Sequence, residues 1–173
     1  SIGVIGFSAG GHLAASLGVH WNQNWLQELT GKESRWVRPN FQVLGYPILD
    51  YDLNRVIANE RGVGDPKFIS MAGRMVFGAE ITDDTLDLAT IKNHVSDQTP
   101  PAFIWHTGED KLVYVKNALD FADALERKGV PWELHTFHKG DHGLSTASKI
   151  TGKVNPHVQK WVPLMFEWLD ELQ

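Results

Sequence analysis

The stretch from Ile2 to Ala15, Ile-Gly-Val-Ile-Gly-Phe-Ser-Ala-Gly-Gly-His-Leu-Ala-Ala, limits the fold of this chain more than any other. Its apolar run reads as a buried strand, Gly6-Phe7-Ser8-Ala9-Gly10 as a sharp turn of the G-x-S-x-G type, and the Ala/Leu-rich segment after it as a helix. A serine at the apex of so tight a turn holds its hydroxyl clear of the sheet, on strained backbone. Both flanking glycines, Gly6 and Gly10, are expected to be required, because a Cβ at either would collide with the neighbouring strand or helix. The free N–H groups and positive end of the helix point toward Ser8 and favour negative charge developing on a substrate there. The competing reading is a glycine-rich strand-to-helix turn with an incidental serine; the strand before and the helix after favour the nucleophile.

A strand as apolar as residues 2–7 is normally covered on both faces and paired on both edges, as in the middle of a parallel sheet. Nothing before it in the sequence supplies those neighbours. We therefore read the chain as the C-terminal portion of a larger domain, and expect a partner chain or an open edge beside this strand. Three further strands are predicted: 41–46, stopped by Pro47; 102–107, after Pro100 and Pro101; and 130–137. Helices are predicted over 10–19, with Ala15 and Gly18 allowing close approach to the sheet, over 115–128 with Gly129 as its stop, and over 156–172, where Pro163 should kink or restart it. Between them, residues 52–98 carry short helical patterns, at 69–77 and 83–91, broken by glycines. A helical lid or cap over the strand ends accounts for this segment, and ordinary crossover helices account for it equally. Strands alternating with helices predict an α/β fold, a three-layer sandwich with about four parallel strands in this chain. At 173 residues there is room for one domain, residues 1–173, around one core.

In open parallel sheets, sites form outside the carboxyl ends of the strands. Ser8, Asp110 and His142 each follow such an end, on three different strands, so one rule brings them to one rim. A serine hydroxyl is a poor nucleophile at neutral pH and needs a base with a pKa near the working pH, which a histidine supplies. The imidazole in turn needs a carboxylate on its other nitrogen to hold the tautomer and stabilise the imidazolium. The chain order Ser, Asp, His is one of three known for serine hydrolases. Competing acids are Asp50, Asp97 and Glu109; competing bases are His138, in the same loop as His142, and His106, inside its predicted strand. Gly140 and Gly143 favour His142, since they suit a loop that must pass close to the serine.

Other chemistry is disfavoured. A formal net charge of −5 without a basic cluster argues against a nucleic-acid partner. No apolar run approaches the roughly 20 residues a membrane-spanning helix needs. With no cysteine there is no disulfide framework, thiolate nucleophile or cysteine-ligated zinc, which fits a cytoplasmic location. His12, His20, His94 and His157 are scattered without metal-ligand spacing, and no metal is expected. Seven tryptophans suit core packing first, although Trp21 and Trp25 sit in a polar stretch that would serve as the rim of a cleft.

Together the three motifs resemble the serine esterase and lipase branch of the α/β-hydrolase superfamily, in particular its acetylxylan-esterase-like carbohydrate esterases. Gly6-Phe7-Ser8-Ala9-Gly10-Gly11-His12-Leu13-Ala14 resembles that group's nucleophile turn. The run 99–110, ending in Gly108-Glu109-Asp110, is similar to its acid strand and loop, and Gly140-Asp141-His142-Gly143-Leu144 to its histidine loop. The resemblance covers nearly the whole chain. It implies hydrolysis of short-chain carboxylic esters of small molecules, acetyl groups on sugars among them, through an acyl-serine intermediate and without a cofactor. It also implies one oxyanion donor, the backbone N–H of Ala9. The sequence departs from the group in one respect: the glycine-rich loop, often beginning His-Gly-Gly, that gives the second donor is not present. A serine peptidase of the prolyl-oligopeptidase type and a non-catalytic binding protein on the same fold are the alternatives, and a homo-oligomer stays open.

Overall fold

In the computed structural model of this chain, residues 1–62, 74–78 and 81–172 are described. Four strands, β1 (Gly3–Phe7), β2 (Phe41–Gly45), β3 (Ala102–Thr107) and β4 (Trp132–Phe137), form one sheet in that order, every neighbouring pair parallel. Parallel neighbours require long crossovers, and helices supply them. Between β1 and β2 lie α1 (Ala9–His20), α2 (Asn24–Thr30) and α3 (Ser34–Val37). Between β2 and β3 lie α4 (Tyr51–Arg61), α5 (Asp83–Ala89) and a 3₁₀ turn, Ile91–His94. The helix α6 (Lys116–Arg127) joins β3 to β4, and α7 (Trp161–Glu171) closes the chain.

Alternation along the strands sorts side chains into two layers. In the β2–β3 pair Leu44 lies opposite Ile104 and Val43 opposite Phe103. Leu44 and Ile104 pack with Ala14, Ala15 and Val19 of α1 and with Phe121 and Leu125 of α6. Val43, Phe103 and Trp105 face the other way, against Trp161, Met165 and Trp168 of α7. Phe103, Trp105, Phe121 and Leu125 are wholly buried, and each such side chain contributes roughly 1.5–3 kcal/mol through its removal from water. The close approach of α1 at Gly18 is real: a Cβ there would press on the Gln42 side chain. Helices on both faces of a parallel sheet make the expected three-layer sandwich.

At its other edge β1 has no strand partner among the described residues, and Ile2 and Ile5 are 78% and 55% exposed. This is the open apolar edge expected beside residues 2–7. Near the C-terminus, α7 begins at Trp161 directly after a 3₁₀ turn, Val158–Lys160, so Pro163 lies in the first turn of the α-helix. No intrahelical acceptor awaits an N–H there, and the proline marks a restart. Of the segment 52–98 read as a cap, residues 63–73 and 79–80, and with them most of the helix expected at 69–77, lie outside the described residues. The pattern at 83–91 is α5 and the start of the 3₁₀ turn after it. Among the described residues no helix is long and apolar enough to cross a membrane.

Candidate active site

Strand β1 ends at Phe7, and Ser8 turns the chain into α1 with φ 54° and ψ −119°. Such a conformation costs a non-glycine residue on the order of 1–3 kcal/mol and persists only where its surroundings enforce it. Here the Ser8 N–H donates to the Gly45 carbonyl at 3.0 Å, while the Ser8 carbonyl accepts from the N–H groups of His12 (3.1 Å) and Ile48 (3.3 Å). Crowding explains two glycines. A Cβ on Gly6 would fall on the Gly10 carbonyl, and one on Gly11 would fall on Pro47, whereas a Cβ on Gly10 meets open space. The second glycine this turn requires is therefore Gly11, not the expected Gly10.

Asp110 follows β3 and is buried. Its Oδ1 accepts from the backbone N–H groups of Leu112 and Val113, both at 2.9 Å. Its Oδ2 accepts from Nδ1–H of His142 at 2.7 Å. Burial alone would raise the carboxyl's pKa. The nearby His106 N–H, the hydrogen bond from His142, the charge of His142 and the Val113 N–H outweigh burial, and hold the carboxyl well below the usual carboxylate range.

His142 stands on the loop after β4, its side chain 16% exposed, and its Nε2 lies 2.7 Å from Ser8 Oγ. With Nδ1 donating to Asp110, Nε2 is the acceptor for the serine proton. Two features shape the loop. The Thr107 hydroxyl donates to the Gly140 carbonyl at 2.8 Å, and Gly140 and Gly143 take φ of 151° and 84°. A Cβ at Gly140 would press on Leu144 and Thr107. Ala9 opens α1, so its N–H belongs to a first turn without intrahelical acceptors and lies beside Ser8.

The competing residues stand elsewhere. Asp97, Glu109 and His138 are exposed. Asp50 caps α4, accepting from the Leu53 N–H at 2.9 Å, and pairs with Lys92 at 3.0 Å. Trp21 and Trp25 follow the far end of α1, whose 12 residues put them roughly 18 Å along the axis from Ser8. His106 is in its strand as expected, fully buried, donating from Nε2 to the Val113 carbonyl at 2.8 Å. The same Nε2 lies 3.5 Å from Asp110 Oδ2, which the sequence reading did not foresee. The available signal was the spacing of His106 and Asp110 across a strand end.

A serine, histidine and carboxylate in one hydrogen-bonded line can carry out acyl transfer. The BD-FAE family model matches residues 1–125. The chain is 35% identical over 150 residues to "Endo-1,4-beta-xylanase B" of Butyrivibrio fibrisolvens, covering 84% of this chain and 21% of that protein. It is 30% identical over 152 residues to an acetylxylan esterase of Xylanibacter ruminicola, covering 83% of this chain and 26% of the relative. Among solved structures, an acetyl ester-xyloside bifunctional hydrolase from Caldicellulosiruptor lactoaceticus superposes with a TM-score of 0.77 at 34% identity, over 99% of this chain and 56% of that one. An alpha/beta hydrolase enzyme from a Medee basin deep-sea metagenome library gives a TM-score of 0.61 at 32% identity, over 98% and 53%. The chain thus spans about a quarter or less of the sequence relatives and just over half of the solved ones.

Proposed function

From the premise that this chain belongs to the BD-FAE family and has an α/β-hydrolase fold, we propose that it is a serine ester hydrolase acting on short-chain carboxylic esters. Ser8 is the nucleophile, His142 the general base and then acid, and Asp110 the group that fixes the imidazole. The observation that carries this is the continuous line from Ser8 Oγ to His142 Nε2 and from His142 Nδ1 to Asp110 Oδ2, both steps 2.7 Å. Sugar acetates are the favoured substrates, supported by the acetylxylan esterase and the acetyl ester-xyloside hydrolase among the relatives.

The proposed chemistry runs through these atoms. Ser8 Oγ attacks the ester carbonyl carbon as its proton passes to His142 Nε2, and the carbonyl π electrons move onto oxygen. The N–H of Ala9 and the positive end of α1 stabilise that oxyanion; one such donor is worth about 10² to 10³ in turnover. The ionised Asp110, held so by its hydrogen bonds, stabilises the imidazolium. Collapse breaks the bond to the alcohol oxygen, which leaves with the proton from Nε2, and the acyl group stays on Ser8. Water, deprotonated by Nε2, repeats the sequence in reverse and releases the acid.

Hydrolysis of p-nitrophenyl acetate by the protein and its Ser8→Ala variant tests this reading. A loss on the order of 10⁴-fold or more is expected, since only oxyanion and binding contributions remain. Equal turnover in the two proteins would refute it.

A further inference from the structure

Among the described residues, four non-glycine residues have positive φ: Ser8, Tyr46, Ser145 and Ala147. Ser8 has its place in the proposed chemistry. Tyr46 and Ser145 do not, yet they touch each other: the Ser145 N–H donates to the Tyr46 hydroxyl oxygen at 3.0 Å across 99 residues of chain. Tyr46 immediately follows β2 with φ 37°, in the left-handed region that side chains other than glycine rarely adopt. A glycine would hold that turn without strain. A buried tyrosine there points to a requirement for its side chain.

That side chain meets every element that presents a member of the hydrogen-bonded line. Its ring lies edge-to-face on the His142 imidazole, centroids 4.9 Å apart at 73°. It also packs on Phe7, the residue before Ser8, at 5.7 Å, and on Trp105, in the strand that leads to Asp110, at 5.0 Å. The backbone adds a fourth tie, from the Tyr46 N–H to the Trp105 carbonyl at 2.7 Å. One wall of the imidazole is thus an aromatic ring fixed to the nucleophile strand and the acid strand, with its hydroxyl anchoring the loop three residues beyond His142.

We propose that Tyr46 is a positioning residue, which holds the His142 imidazole in line between Ser8 and Asp110 by its ring and anchors the histidine loop by its hydroxyl. This rests on the esterase reading above. The strained backbone places the ring where an unstrained one would not, and the Ser145 contact sets how far the loop can move from Ser8. Tyr46 acts only through His142, so it should influence proton transfer and leave ester binding alone.

The test compares wild type, Tyr46→Phe, Tyr46→Leu and Ser8→Ala, measuring kcat and KM on p-nitrophenyl acetate. The reactive fraction of each is counted by stoichiometric labelling with a fluorophosphonate. We expect Tyr46→Leu to lower kcat per labelled site about 10²-fold, the loss that a displacement of about 1 Å causes, with KM within about threefold of wild type. Tyr46→Phe keeps the ring and loses only the loop anchor, so its kcat should recover to within about tenfold of wild type, still below it. A purely structural role would instead lower the labelled fraction and leave kcat per labelled site at the wild-type value, and that result overturns the proposal. If Tyr46→Leu does not fold, Tyr46→Phe decides: wild-type kcat per labelled site overturns the anchor. A Ser8→Ala variant as active as wild type would overturn the esterase reading itself, whatever the tyrosine variants do.

Discussion

At the scale of single residues, the candidate site is held by partners that only some residue types can provide. Asp110 accepts two backbone N–H groups on one oxygen and His142 on the other. In Asp110→Asn the amide can donate to Nδ1, which favours the tautomer with its proton on Nε2, facing Ser8. We expect kcat to fall about 10⁴-fold with little change in fold, as steady-state kinetics beside a circular dichroism spectrum will show. His106 works on the other side of the same loop. In His106→Leu the buried Val113 carbonyl loses its donor, and thermal or urea unfolding should show a loss of about 1–3 kcal/mol. The candidates Ser8, Asp110 and His142 could be picked out because their types, chain order and strand-end positions converge on one known chemistry, and their side chains lie in one hydrogen-bonded line. His106 and Tyr46 were not. Their roles depend on where the chain goes after Thr107 and on a positive φ after Gly45, and no local pattern records either.

At the scale of elements, the strand-turn-helix unit β1–Ser8–α1 and its crowding decide which small residues are essential. A methyl on Gly6 meets backbone atoms of Gly10 and Gly11, which move only if α1 moves. Gly6→Ala should therefore cost about 1–3 kcal/mol, and Gly10→Ala, with open space around it, about 0.5 kcal/mol or less. Denaturant midpoints of the two variants check this; equal midpoints would mean that the turn is not crowded as described. The strands were legible because an apolar run bounded by Pro or Gly has little alternative to a buried strand, as at residues 102–107 after two prolines. The glycine assignment was less so, since which of Gly10 and Gly11 faces Pro47 depends on the rotation of α1 against the loop after β2.

At the scale of the whole molecule, stability should follow pH in two windows. Burial pushes His12 below the ordinary histidine value, partly opposed by its bond to the Ile48 carbonyl. Burial lowers His20 too, partly opposed by its bond to the Leu88 carbonyl, with the charges of His94 and His12 lowering it further. Groups that bind protons less readily when folded make unfolding proton-consuming, so their contribution is complete above about pH 6.5 and declines as pH falls below it. Asp110, also lowered, adds a second decline that begins near pH 4 and grows toward stronger acid. Melting temperature measured from pH 8 to 3 should drop in both ranges, and a flat curve between pH 7.5 and 5 would contradict the first. The three-layer architecture was legible from the alternation of strands and helices, and the open edge of β1 from the apolarity of residues 2–7. The loops that bring Ser8, Asp110 and His142 within hydrogen-bonding distance were legible only as a rule about strand ends. The distances, both 2.7 Å, are what make the line continuous. The most direct measurement is labelling of the protein with a fluorophosphonate, followed by peptide mapping and repeated in His142→Ala. A single phosphonyl group on Ser8, formed about 10² to 10⁴ times more slowly without the histidine base, is the predicted result; no adduct on Ser8, or an adduct whose rate ignores His142, would contradict the account.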